Sequence, residues 1–185
     1  LIFNTQQNSD GKLDVYPIQF WDNLTQQSPL FRQEFNSYHS FSKANFDYYK
    51  QKGFIDSDSL LMAKHCESKW IENLGDANFK IYNLPDLLQL GPINDFHVLG
   101  SGKNRRIYIV GNDFGGAPFE GNTDALQGSI LYWDENGEEK IISSQDSGFH
   151  VFGDAREISS VRLKNGKILI LVAQNQNKLL AFEQS

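Results

Sequence analysis

Apolar and polar positions alternate over much of the chain, and this two-residue period predicts strands. At the start, Leu1-Ile2-Phe3 is an apolar run and Gln6 to Lys12 is polar, with the turn dipeptide Asp10-Gly11 inside it. Leu13 to Tyr16 then alternates until Pro17 interrupts the pattern, so residues 1–20 read as a short hairpin. Between residues 22 and 64 the period lengthens. Ser28-Pro29 has the form of an N-cap and first helical residue, and Leu30, Phe31 and Phe35 follow at helical spacing. Phe41, Ala44, Phe46, Tyr48 and Tyr49 predict a second helix with Gly53 near its end. Asp56-Ser57-Asp58-Ser59 can cap a third, from Leu60 to His65.

The remainder, from residue 66, returns to strands and turns. The pattern predicts strands at Glu67–Asn73, Phe79–Asn83, Asp95–Leu99, Arg105–Asn112, Ser129–Trp133, Lys140–Ser143, Glu157–Leu163, Lys167–Ala173 and Lys178–Phe182. Gly75-Asp76, Gly100-Ser101-Gly102, Asn136-Gly137 and Asn165-Gly166 punctuate them. The two Asn-Gly pairs are the strongest hairpin signals, since both residue types tolerate positive φ. Many short strands with regular turns point to a sandwich, barrel or propeller.

An internal repeat chooses among these. Ile107-Tyr108-Ile109-Val110-Gly111-Asn112 is echoed 62 residues later by Leu169-Ile170-Leu171-Val172-Ala173-Gln174. Each run follows a polar turn with Lys and Asn, and each is apolar on both faces, as a strand between two layers must be. The expectation is a mainly β chain: a partial β-propeller of about two blades with a short helical insertion. The segments are a hairpin of a preceding blade (1–21), the insertion (22–64) and the blades (65–185). The second repeat has three predicted strands where a blade has four, so the other strand and blades are expected from further sequence of a longer polypeptide. The sequence opens at Leu1 with no leader pattern, so either a leader was removed or this is a piece of a longer polypeptide, and the strand count favours the second.

Composition narrows the chemistry. The 185 residues are 39% hydrophobic and 22% charged, enough apolar material for a core. A net charge of −6 disfavours nucleic acid and anionic lipid surfaces. Lys103, Arg105 and Arg106 form a basic cluster too small for a phosphate track. No apolar run approaches the roughly 18–20 residues of a membrane span. Cys66 is the single cysteine, which excludes an intrachain disulfide and zinc fingers. Gly100-Ser101-Gly102-Lys103 lacks two defining positions of a phosphate-binding loop, where His97 and Asn104 stand, and reads as a glycine turn. His39, His65, His97 and His150 show no metal spacing, and His65-Cys66 reads as packing. The carboxylates Glu138-Glu139 and Asp154 with Glu157 fall in turns and strand starts and read as solvated surface.

Several motifs in order resemble one family. Gly111-Asn112-Asp113-Phe114-Gly115-Gly116, followed by Gly121-Asn122-Thr123-Asp124-Ala125-Leu126-Gln127-Gly128, is similar to the "GN…G…DA…G" loop of FG-GAP/VCBS-repeat proteins. The relevant members are the large cartilage-acidic-protein-like, ASPIC/UnbV-containing proteins of Bacteroidota. Ser147-Gly148-Phe149 with Gly153-Asp154-Ala155-Arg156-Glu157-Ile158 resembles their "sGf…GdvRdi", and Ala173 to Asn177 with Phe182 resembles their closing segment. In the first half, Asp22 to Leu30, then Phe35 to Ala44, then Glu72 to Pro85 resemble further family stretches.

The resemblance implies FG-GAP-type blades and a non-catalytic module of a surface or secreted protein. It mediates protein–protein contacts in a larger envelope assembly, with the other blades of the same polypeptide as neighbours. The alternative is a carbohydrate-binding or carbohydrate-active propeller taking a glycan. Asp113, Phe114, Phe119, Asn122 and Asp124, on the long loop from Phe114 to Gln127 and at its base, are the candidate binding residues. The family's calcium loop is replaced at Leu99–Arg106 by a turn with no carboxylate and two arginines, so no ion is expected there. A weaker match places oxygens of Asn8, Asp10 and Asp14 at ligand spacing, but Gln6 stands where the first Asp belongs. It reads as a hairpin turn, and no cofactor is expected in this segment.

Overall fold

A computed structural model describes residues 1–8, 10–56, 60–116, 118 and 121–184. The chain is mainly β, with short helices, and divides into two compact units, Leu1–Lys64 and His65–Ser185.

In the first unit, β1 (Phe3–Gln7) and β2 (Leu13–Pro17) form the expected hairpin, in antiparallel register from Phe3↔Pro17 to Gln7↔Leu13. Four helices follow: α1 (Trp21–Gln27), α2 (Pro29–Glu34), α3 (Tyr38–Ser42) and α4 (Phe46–Gln51). Ser28 caps α2, accepting from the Leu30 N–H, with Pro29 at the first helical position. The single helix expected across Phe41–Tyr49 is instead two. Asn45 breaks it by capping α4 through the Tyr48 N–H at 3.1 Å while donating to Asp14 Oδ2 at 2.9 Å. The helix expected over Leu60–His65 is absent, and residues 60–65 carry no regular element. Leu61 and Met62 lie exposed, so no tertiary contact offsets the nucleation cost of so short a helix. Its cap residues Ser57–Ser59 fall outside the described residues. Phe35, Ala44 and Tyr49 form the core, and Phe3 of β1 packs edge-on to Tyr49 at 5.4 Å. Hairpin and helices, separate segments by sequence pattern, thus share one core.

The second unit opens with a hairpin of β3 (Lys69–Gly75) and β4 (Asn78–Asn83). Its turn residues Asp76 and Ala77 both take positive φ. β5 (Ile93–Leu99), β6 (Arg106–Gly111), β7 (Ser129–Trp133) and β8 (Glu139–Ile142) form a four-stranded antiparallel meander. A short helix, α5 (Ser144–Ser147), leads to the three-stranded meander β9 (Ala155–Arg162), β10 (Ile168–Gln174) and β11 (Leu180–Glu183). Each of the nine strands expected from the period is found, with ends shifted by up to two residues.

The two meanders bury a common core of Tyr108, Val110, Ile130, Phe149, Val151, Ile158, Ile170 and Val172. Leu88, Ile109, Leu126 and Leu131 form a second cluster on the other face of the four-stranded sheet. β6 is therefore buried on both faces, as its continuous apolar run predicts. β10 departs from that expectation: Ile170 and Val172 are buried, but Leu169 and Leu171 on the opposite face are only half-buried. The residue paired with Leu169, Val161, is exposed, so that face has no full covering layer. The first strands of the meanders lie side by side. Ile158 N donates to Asp95 Oδ2 at 2.8 Å, and His97 Nε2 meets Ser160 Oγ at 2.9 Å.

Candidate functional site

The long loop between β6 and β7 is anchored at both ends by backbone that only glycine fits. A Cβ on Gly111 would lie 1.8 Å from the Pro92 carbonyl oxygen, and one on Gly128 would lie 2.5 Å from that of Phe149. Next to Gly111, Asn112 is fully buried at φ 81°. Its Oδ1 accepts from Leu126 N at 3.0 Å, and its Nδ2 donates to the Gly153 carbonyl at 3.2 Å. One amide thus closes the loop on itself and ties it to the second meander. Leu126 is the loop's buried plug. Further out, Asp113 and Thr123 exchange two backbone hydrogen bonds of 2.9 Å.

The proposed binding residues separate on this frame. Asp113 sits at the base, where Oδ1 accepts from Gly115 N at 3.0 Å and from Arg156 Nη2 at 3.1 Å. Those two donors, the backbone N–H first, hold its carboxyl below the usual range. Phe114, Asn122 and Asp124 are exposed beyond the base. Phe119 lies outside the described residues. Asp113 is thus tied into the base through Oδ1 with its side chain still half exposed, while Phe114, Asn122 and Asp124 lie exposed.

Behind Asp113 lies a polar junction that sequence reading passed over. Arg156 Nη2 also donates to Asp154 Oδ2 at 2.7 Å, and Asn175 Nδ2 donates to the same oxygen at 3.3 Å. Asp154 is 1% exposed, which corrects its reading as solvated surface; Glu157 is exposed, as read. Its other oxygen, Oδ1, is buried without a partner among the described residues. Glu139 needs the same correction. Its Oε1 is buried and has no partner among the described residues, and burial pushes its carboxyl above the ordinary range. Asn94 completes the junction, donating from Nδ2 to the carbonyls of Asn112 and Ala155, each at 2.8 Å. The visible signal for Asp154 and Arg156 was the run Gly153-Asp154-Ala155-Arg156; the bonds of Asn94 and Asn175 that complete the junction span 61 and 21 residues.

Two apolar surfaces stand out. An open cleft of about 470 Å³ has walls that include Trp70, Trp133 and Phe96 and a floor that includes Ile107, Ile109 and Leu131. The indoles of Trp70 and Trp133 are 6.1 Å apart, and the Arg105 guanidinium lies 4.4 Å over Trp133. Three polar side chains at its rim are already engaged. Asp95 accepts from Phe96 N and Ile158 N, Asn94 holds two carbonyls, and Lys69 pairs with Glu67 at 3.3 Å. The second surface is one face of the β3–β4 hairpin. The register Ile71↔Ile81 and Asn73↔Phe79 puts Ile71, Ile81 and Phe79 on the same side, and each is more than half exposed.

The three residues considered for calcium serve the first hairpin. Asn8 Oδ1 accepts from Asp10 N and Lys12 N at 3.0 and 2.9 Å, closing the turn. Asp14 accepts from Asn45 Nδ2 and Val15 N, the two bonds that lower its carboxyl pKa, and Asp10 is exposed. Among the described residues no group of three or more His, Cys, Asp and Glu side chains is placed to hold a metal ion. No protein-family model, curated protein or solved structure matches this chain.

Proposed function

We propose that this chain is a non-catalytic interaction module, built as FG-GAP-type β-propeller blades and working within an extracytoplasmic assembly on a bacterial surface. The observation that carries the reading is the exposed face of β3–β4, where Ile71, Phe79 and Ile81 line up in contact register with no covering layer. Apolar patches of this kind mark surfaces that meet other protein. The blade reading is supported by two successive antiparallel meanders sharing a core, with their first strands adjacent and their second strands carrying the sequence repeat. The Trp70–Trp133 cleft favours an apolar partner over a sugar. A glycan needs free hydrogen-bonding groups at its hydroxyls, and the rim groups Asp95, Asn94 and Lys69 are already engaged.

The test is a photo-crosslinking amino acid at Ile71 or Phe79 in cells that make the protein, with Lys164, on an exposed hairpin turn, as control. A discrete protein adduct at 71 and 79 and none at 164 supports the reading. Equal labelling at all three positions overturns it.

A further inference from the structure

We propose that the base of the β6–β7 loop binds the ring of a neutral sugar, with Asp113 and Arg156 meeting its hydroxyls and Phe114 meeting its apolar face. The pair is held from behind by a buried carboxylate. Asp154 accepts from Arg156 Nη2 at 2.7 Å and from Asn175 Nδ2 at 3.3 Å, and its backbone carbonyl accepts from Asn175 N at 2.8 Å. The same Nη2 reaches Asp113 Oδ1, where Gly115 N also donates. Arg156 and Asp113 are thus fixed in place, yet the side chain of each stays about half exposed.

The unused hydrogen-bonding groups define the ligand. Among the described residues Asp113 Oδ2 accepts no hydrogen bond, and Arg156 Nε and Nη1 donate none. One guanidinium stands against the two carboxylates of Asp113 and Asp154, so the three groups together are negative and disfavour an anion. A cation approaching Asp113 meets the guanidinium already on its other oxygen. An open acceptor beside open donors suits a neutral group that both donates and accepts, and adjacent hydroxyls on one ring are such groups.

Exposed rings border the pair along the chain. Phe114 directly follows Asp113, and Phe152, two residues before Asp154, is exposed and stacked flat on His150 at 5.5 Å. Asn112 Nδ2 on the Gly153 carbonyl and Val151 N on the Gln127 carbonyl fasten the two segments together. A sugar ring has an apolar C–H face as well as hydroxyls, and an aromatic ring beside open polar groups matches both. The Trp70–Trp133 cleft has aromatic rings, but Asp95, Asn94 and Lys69 at its rim are engaged; at the loop base exposed rings and open polar groups occur together. This site shares no residue with the β3–β4 face, so either proposal can fail without the other.

The full chain, labelled with nitrogen-15, is titrated with the methyl glycosides of glucose, galactose and mannose. At least one is expected to give saturable shifts centred on the Phe114 and Gly115 amides and the Arg156 Nε–H. Asp113→Asn removes the charged acceptor and leaves an oxygen for Gly115 N, and Phe114→Ala removes an exposed ring. Each is expected to weaken that binding about tenfold or more, in samples whose remaining amide shifts match the parent. Absence of saturable shifts with all three glycosides, shifts centred elsewhere, or undiminished binding by either variant overturns the proposal. Shifts of the same amides with sodium acetate or calcium chloride and with no glycoside also overturn it, since the ligand is then an ion.

Discussion

At the scale of single residues, the sharpest demands come from side chains that close one part of the chain on another. Asn112 is one. Its amide serves Leu126 and Gly153 at once, and its φ of 81° suits Asn or Gly. Asn112→Ala leaves the Leu126 N–H unmatched, takes from the Gly153 carbonyl one of its two donors (Ala155 N remains) and strains the backbone, with an expected loss of about 2–3 kcal/mol in urea unfolding. Tyr49 gives the opposite case: its hydroxyl is buried without a partner among the described residues, and desolvation raises its pKa. Tyr49→Phe removes that unpaired group and is expected to leave stability unchanged or raise it by up to about 1 kcal/mol. Glu139 adds a pH dependence. A carboxyl with a raised folded pKa binds its proton more tightly when folded, so its contribution falls as pH rises from the ordinary 4.5 through the folded value. Glu139→Gln is therefore expected to gain stability relative to the parent at pH 7 and to lose that advantage near pH 4, read from paired urea curves. Asp113 runs the other way. Its folded pKa lies below the ordinary 3.8, so its contribution is present above that pH and is lost as pH falls through the folded value.

Elements here are short, and each depends on a particular device. α2 starts where Ser28 caps it, α3 where Ser37 and Ser40 form a reciprocal capping box, and α4 where Asn45 turns the chain. Asn45 also reaches Asp14 in β2, so it joins helix to hairpin. Asn45→Ala loses both bonds. An expected cost of about 1–2 kcal/mol follows from the cap alone, seen in the unfolding of residues 1–64 and not in that of 65–185. The strands rest on turns more than on length. Gly137 and Gly166 both take positive φ at the second residue of their Asn-Gly pairs. Each has open space around its Cβ position, so the constraint there is conformation and not crowding. At Gly111 the constraint is crowding, and Gly111→Ala must displace Pro92 or move the strand.

For the molecule as a whole, the boundary at Lys64–His65 separates two cores that share no buried residue. Residues 60–67 are exposed and carry no regular element, so limited trypsin digestion is expected to cut first at Lys64. Fragments ending and beginning at that bond, read by mass spectrometry, check this; a first cut inside β5–β7 would contradict it. The cleft and the β3–β4 face belong to the second unit. Replacing Ile71, Phe79 and Ile81 together by Thr keeps strand-forming residues at exposed sites. It is expected to change unfolding free energy by less than about 1 kcal/mol while lowering the binding of a hydrophobic dye. Location is tested by fractionating cells. The intact protein is expected outside the cytoplasm, and recovery in the cytosol would overturn that part of the proposal.

Local chemistry was legible from the chain itself. The two-residue period located all nine strands of the second unit, since a strand's faces are written in neighbouring residues. Ser28-Pro29 marked a helix start, and Asp10-Gly11, Asn136-Gly137 and Asn165-Gly166 marked turns, because caps and positive φ act within a few residues. The continuous apolar run of β6 even announced burial on both faces. What tertiary structure alone decided is what distant residues do to one another. Leu61 and Met62 have a helical pattern but find nothing to pack on, so the third helix is not there. Asp154 has the composition of a surface residue, but it is buried and hydrogen-bonded by Asn175, 21 residues away. Asp113, which a loop reading offers to a ligand, also meets an arginine 43 residues away through one of its oxygens. Period and turn type are properties of neighbours along the chain. Burial and pairing are set by which segments meet, and that is fixed only when the sheets have stacked.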